Sequence, residues 1–131
     1  MMNNQSIQKK RLFGLGRLKS GEMNKTEKAY ALHLEGLMVI GEIVWWRFES
    51  IKFKLADNCH YNPDFAVMKA SGEIQIIEVK GNLNYIQDDA KVKIKVAAAE
   101  MPFRFFLVAP RAKCHGGGWE IKEIGNKDGN P

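Results

Sequence analysis

A chain of 131 residues, 45% hydrophobic and 27% charged, carries enough apolar material for one core and not for two. No apolar run approaches the length of a membrane span and no continuous apolar leader opens the chain, so contact with a membrane is not expected. Cys59 and Cys114 make no disulfide framework, which points to a reducing cytoplasm.

The formal net charge is +5, and its distribution is uneven. Residues 1–21 hold Lys9, Lys10, Arg11, Arg17 and Lys19 and no acid, which leaves fifteen basic against fifteen acidic residues elsewhere. A basic arm over residues 1–22, attached to a balanced domain over residues 23–125, suits contact with phosphates; a merely solvated tail has the same composition. Gly14-Leu15-Gly16 is no nucleotide-binding loop, because no strand precedes it and no third glycine follows at the required spacing. Residues 126–131 are expected to be a disordered tail.

The pattern predicts a first helix from Asn24 to about Ile40, capped by Asn24 or Thr26 and stopped at Gly41. Ala29, Leu32, Leu37 and Ile40 fall near one face. Glu27 lies in its first turn, where an acid complements the helix dipole or can be aimed at a site beyond it; Glu35, eight residues on, competes for that second role. Glu42 to Leu55 alternates in its second half and predicts one bent strand, or two with a break at Glu49-Ser50. Trp45 and Trp46 read either as a platform for unpaired bases or as core.

Asn62 to Lys69 and Glu73 to Lys80 then predict two strands joined at Ser71-Gly72, with Phe65 and Val67 on one face and a β-branched run in the second strand. A second helix is predicted from Asp88 to about Glu100, with Val92, Val96 and Ala99 as its apolar stripe. Lys91 and Lys95 stand one turn apart on it, an arrangement that an anionic partner relieves. Pro102 ends this helix. Phe103 to Ala109 reads as a buried strand pairing parallel with the Glu78 strand through a right-handed crossover, and Trp119 to Ile124 as an edge strand. Cys59-His60 and Cys114-His115 lack zinc-ligand spacing.

The chemistry concentrates in the predicted hairpin. Glu78 and Lys80 are two residues apart and leave the same face of a strand, and pairing about Ser71-Gly72 brings Asp64 opposite that end. Two carboxylates at close range repel unless a cation lies between them. Hard Mg²⁺ accepts one or two carboxylates together with water and phosphate, and an ammonium beside them can orient water or neutralise phosphate charge.

Pro63-Asp64, a thirteen-residue spacer and Glu78-Val79-Lys80, preceded by a helical Glu27 and followed by a basic helix, resemble the PD-(D/E)XK nuclease superfamily. The order of the Glu27 helix, Y-x-P-D-F and E-x-K-G is similar to that of small phage-encoded endonucleases, including the Holliday-junction resolvases of T-odd bacteriophages; the resemblance covers roughly residues 24–108. It implies an α/β restriction-endonuclease-like core, in which an antiparallel meander plus one parallel strand form a mixed sheet flanked by two helices. It further implies a Mg²⁺-dependent DNA endonuclease (Mn²⁺ substituting) that hydrolyses phosphodiesters by metal-activated water. Asp64, Glu78, the Val79 carbonyl and Glu27 would hold the metal, Lys80 would assist the nucleophile, and Gln87 occupies a place where relatives carry a polar group. Lys9, Lys10, Arg11, Arg17, Lys19, Lys91 and Lys95 are the expected DNA contacts, on duplex or branched DNA, and cutting at a branch would ask for a homodimer. The host cell would be bacterial if the chain is phage-encoded. Two other readings are a non-catalytic DNA-binding module on this fold, and a protein-interaction domain using the basic arm.

Overall fold

The structure, a computed structural model, describes residues 21–84 and 88–125. The basic residues Lys9 to Lys19, Gln87 and the tail expected at 126–131 lie outside the described residues.

Helix α1 (Lys25–Val39) is closed at both ends by sequence-encoded caps. Asn24 Oδ1 accepts from the Glu27 N–H and Glu27 Oε1 accepts from the Asn24 N–H, both at 2.8 Å, forming a reciprocal capping box. At the other end Gly41 adopts φ +80°, its N–H donates to Met38 O at 3.1 Å, and the Glu42 N–H donates to Leu37 O at 2.9 Å. This pair of bonds satisfies carbonyls that the helix leaves without partners, and only glycine takes the required left-handed conformation cheaply.

The main sheet contains β1 (Ile43–Phe48), β4 (Phe65–Lys69), β5 (Ile74–Val79), β6 (Arg104–Pro110) and β7 (Trp119–Ile124), in the spatial order β1-β4-β5-β6-β7. Pairing is antiparallel except between β5 and β6, which run parallel. Helix α2 (Asp88–Glu100) spans that crossover. Between β1 and β4 the chain leaves the main sheet for a separate hairpin of β2 (Phe53–Ala56) and β3 (Cys59–Tyr61). The fold is thus α/β with a mixed sheet and two helices. Among the described residues no helix is long and apolar enough to cross a membrane.

Period-two alternation divides the sheet into two faces. Phe65, Val67, Ile77 and Val108 pack with Tyr30 and Leu34 of α1. Ala66, Ile76, Phe105 and Leu107 pack on the opposite side with Ile94, Ala97 and Ala98 of α2, where Phe53 and Tyr61 of the hairpin complete the cluster. Phe65 and Phe105 are fully buried, one in each cluster; truncating either to alanine costs about 3–5 kcal/mol.

Three expectations need correction. The buried face of α1 is Tyr30, Ala31 and Leu34, whereas Leu32 and Ile40 of the expected row are 75% and 70% exposed and Ala29 is exposed too. The buried stripe of α2 is Ile94, Ala97 and Ala98, whereas Val92 is 58% exposed and Ala99 is exposed too. Alanine lets the helix approach the sheet closely, so size decides the contacting face over hydrophobicity. The stretch after Glu49-Ser50 breaks as one alternative foresaw, but β2 joins a second sheet with β3, a strand not anticipated. Trp45 and Trp46 follow the core alternative: both are partly buried, Trp46 packed on the α1-side cluster and Trp45 on the α2-side cluster.

Candidate functional site

The turn after β4 sets the geometry. Gly72, at φ +95°, donates to Lys69 O at 2.8 Å, and the Lys69 N–H donates to Glu73 O at 2.8 Å. This closure fixes the register Phe65↔Ile77, so the residues flanking that pair, Asp64 and Glu78, meet at the far end of the hairpin. Asp64 Oδ2 accepts the Val79 N–H at 2.8 Å. Lys80 Nζ stands 3.1 Å from Glu78 Oε2. Tyr61 donates its hydroxyl to the other oxygen, Glu78 Oε1, at 2.8 Å.

Asp64 is the one charged residue buried among the described residues, at 9% exposure. Its carboxyl is pushed up to about 8, first by burial and then by the Glu78 carboxylate. The Val79 N–H pulls the other way, while the Glu27 charge, and a hydrogen bond that protonated Asp64 donates to Glu27, push further up. Burial raises the Tyr61 hydroxyl as well, reinforced by the Glu78 carboxylate that accepts its hydrogen bond, so Tyr61 is a proton donor throughout the neutral range.

The structure therefore brings Glu27, Asp64, Glu78 and Lys80 to one end of the sheet. Glu27 serves two purposes there, closing the helix cap with Oε1 and facing Asp64. Glu35, its rival, instead accepts from Trp46 Nε1 at 2.8 Å. Close by, Glu49 takes a left-handed conformation at φ 48°, which costs a non-glycine residue about 1–2 kcal/mol. Its N–H donates to Asp64 O at 2.8 Å, so this strain sits where the chain turns away from the main sheet beside Asp64. Lys91 and Lys95 are exposed on α2, on the side of the sheet that carries Glu78.

Among the described residues no three His, Cys, Asp or Glu side chains form a ready-made metal cage. Mg²⁺ asks for less, since one or two carboxylates suffice when water and phosphate complete its shell. Lys80 pairs with Glu78, while Asp64 has carboxylates on two sides, Glu78 and Glu27, and its carboxyl is pushed up by burial and by their charge. The donor set is hard oxygen only. These features fit a divalent cation of the Mg²⁺ type.

Sequence reasoning missed Tyr61. Its signal was its place in Y-x-P-D, two residues before the buried Pro63 and three before Asp64, but a bond to a residue 17 positions away has no local pattern. No protein-family model, curated protein or solved structure matches this chain.

Proposed function

We propose that this chain is a metal-dependent DNA endonuclease of the PD-(D/E)XK type, hydrolysing a phosphodiester with Mg²⁺ or Mn²⁺ as cofactor. The observation that carries the reading is a buried Asp64, its carboxyl pushed up by burial and by the neighbouring Glu78 and Glu27, with the Lys80 ammonium 3.1 Å from Glu78. A structural ion pair would match Asp64 with a cation; here two further carboxylates surround it, an arrangement that is unfavourable until a cation arrives.

Asp64, Glu78 and Glu27 would hold the metal with the Val79 carbonyl. When bound, the cation supplies charge neutralisation on the phosphate and lowers the pKa of a coordinated water. Lys80, tethered by Glu78, is placed to orient the attacking water or to balance charge developing on the phosphate. Tyr61 and Lys80 each engage one oxygen of Glu78 and so fix its carboxylate plane. The Val79 N–H does the same for Asp64. The basic arm and Lys91 and Lys95 would bind the DNA backbone, and a homodimer would suit branched DNA. Such an enzyme would work in the cytoplasm, that of a bacterial host if the gene is phage-borne.

The test is cleavage of duplex and four-way-junction DNA with Mg²⁺ and with chelator. Asp64→Asn and Glu78→Gln are expected to abolish cutting and to retain DNA binding. Cutting that persists in chelator, or in both variants, would overturn the proposal.

A further inference from the structure

A second concave surface lies on the same sheet face as Glu78. It has a volume of about 300 Å³, and three lysines converge on it, Lys91 and Lys95 from α2 and Lys122 from β7. Leu83, Ile94, Leu107 and Ile124 make an apolar floor, and Asn84 adds an amide at the rim. Among the described residues no carboxylate lines this surface and none of the three lysines is ion-paired. Three ammonium groups around one apolar hollow repel each other, and an anion seated there relieves that repulsion.

The register ties the hollow to the carboxylate site. Glu78 pairs with Leu107 across β5 and β6, and Leu107 pairs with Lys122 across β6 and β7. Lys122 therefore stands two strands from Glu78 along one row, about 10 Å at a strand spacing of about 4.8 Å. That is short enough for the two places to meet nearby phosphates of one strand. The loop residues Leu83 and Asn84, which follow Lys80 by three and four positions, lie between the two places in the chain.

We infer that this hollow is a phosphate subsite for the DNA strand: Lys91, Lys95 and Lys122 bind one backbone phosphate near the bond held at Asp64 and Glu78, and the apolar floor receives the adjoining sugar. The inference rests on the nuclease reading for its substrate, and it adds Lys122, which no sequence motif marks, to the binding surface. Lysine suits the task because it binds phosphate as a point charge without demanding a fixed fork geometry.

Two measurements test it on the full chain. In methyl-detected NMR, thymidine 5′-monophosphate is expected to shift the signals of Leu83, Ile94, Leu107 and Ile124, uncharged thymidine is not, and Lys95→Gln/Lys122→Gln is expected to lose the response. In chelator, the double variant is expected to lower the slope of log affinity for a 20-base-pair duplex against log salt by about 1, the loss of one phosphate contact, while Arg111→Gln/Lys113→Gln, which removes the same charge elsewhere, leaves it unchanged. Absence of nucleotide shifts, or equal slopes for the two double variants, overturns the subsite even if the wild type cuts DNA. Nucleotide binding lost in Lys95→Gln/Lys122→Gln, in a protein that never cuts, supports the subsite and sinks the nuclease reading instead.

Discussion

Tyr61 and Glu78, 17 residues apart in chain and in different sheets, are joined by a 2.8 Å hydrogen bond from the phenol to Oε1. The β2–β3 hairpin thereby controls a carboxylate on β5 that it does not pair with. Tyr61→Phe keeps the ring in the α2-side cluster and removes only the donor. If the carboxylates act as proposed, cleavage is expected to fall about 10–100-fold and the Mg²⁺ requirement to rise, as for other groups that orient a metal ligand. Rates measured across a Mg²⁺ titration check this.

Glu27 caps its helix and, in the proposed enzyme, also serves the site; two substitutions separate these roles. Glutamine serves at this position of a capping box, so Glu27→Gln is expected to change stability little, while the lost charge beside Asp64 lowers cleavage at least tenfold. Asn24→Ala is expected to cost about 1 kcal/mol of stability with the Glu27 charge retained. Urea midpoints and cleavage rates on both variants check the assignment.

The raised Asp64 carboxyl sets a pH dependence for the metal-free protein. Between about 4, where the unfolded chain loses this proton, and about 8, where the folded protein does, the folded state binds more protons. Stability from this group is therefore complete below that window and falls as pH rises through it, by at most about 1.4 kcal/mol per pH unit. Asp64→Asn is expected to flatten the slope, and Mg²⁺ is expected to stabilise the wild type most at the alkaline end. Chemical denaturation at pH 5 and pH 8, with and without Mg²⁺, reads both effects.

Gly41→Ala tests the stop of α1. A methyl group at Gly41 meets nothing within 4 Å, so the penalty is conformational alone, about 1–2 kcal/mol for a left-handed residue. Thermal unfolding measures it; a neutral result would mean that the helix ends otherwise.

Much of this architecture is legible in the sequence because local chemistry decides it. Asn24 and Gly41 bracket α1, and Ser71-Gly72 places the turn that sets Asp64 against Glu78. The parallel partner of β5 follows from the strand–helix–strand order and the apolar run that became β6. The short β2–β3 hairpin escaped notice because Cys59-His60-Tyr61 shows no alternation, and its two-residue turn relies on Asn58 at φ 58°. The buried face of α2 was misread because Val92 outranks Ala97 in hydrophobicity, whereas room beneath the helix favours the smaller residue. The site itself was half readable. Its acids lie in a motif, but the tyrosine that holds Glu78 and the lysine two strands away on β7 come together only through tertiary packing.

The hairpin register has a kinetic consequence. Asp64 reaches Val79 across 15 residues, whereas the β5–β6 pairing joins Glu78 to Leu107 across 29. The shorter loop closes at an entropic cost lower by roughly 0.6 kcal/mol, which favours early pairing of the two strands that carry the acids. Closing that hairpin gathers like charges, which opposes its formation until they are neutralised. Mild acid, which neutralises them, is expected to speed refolding.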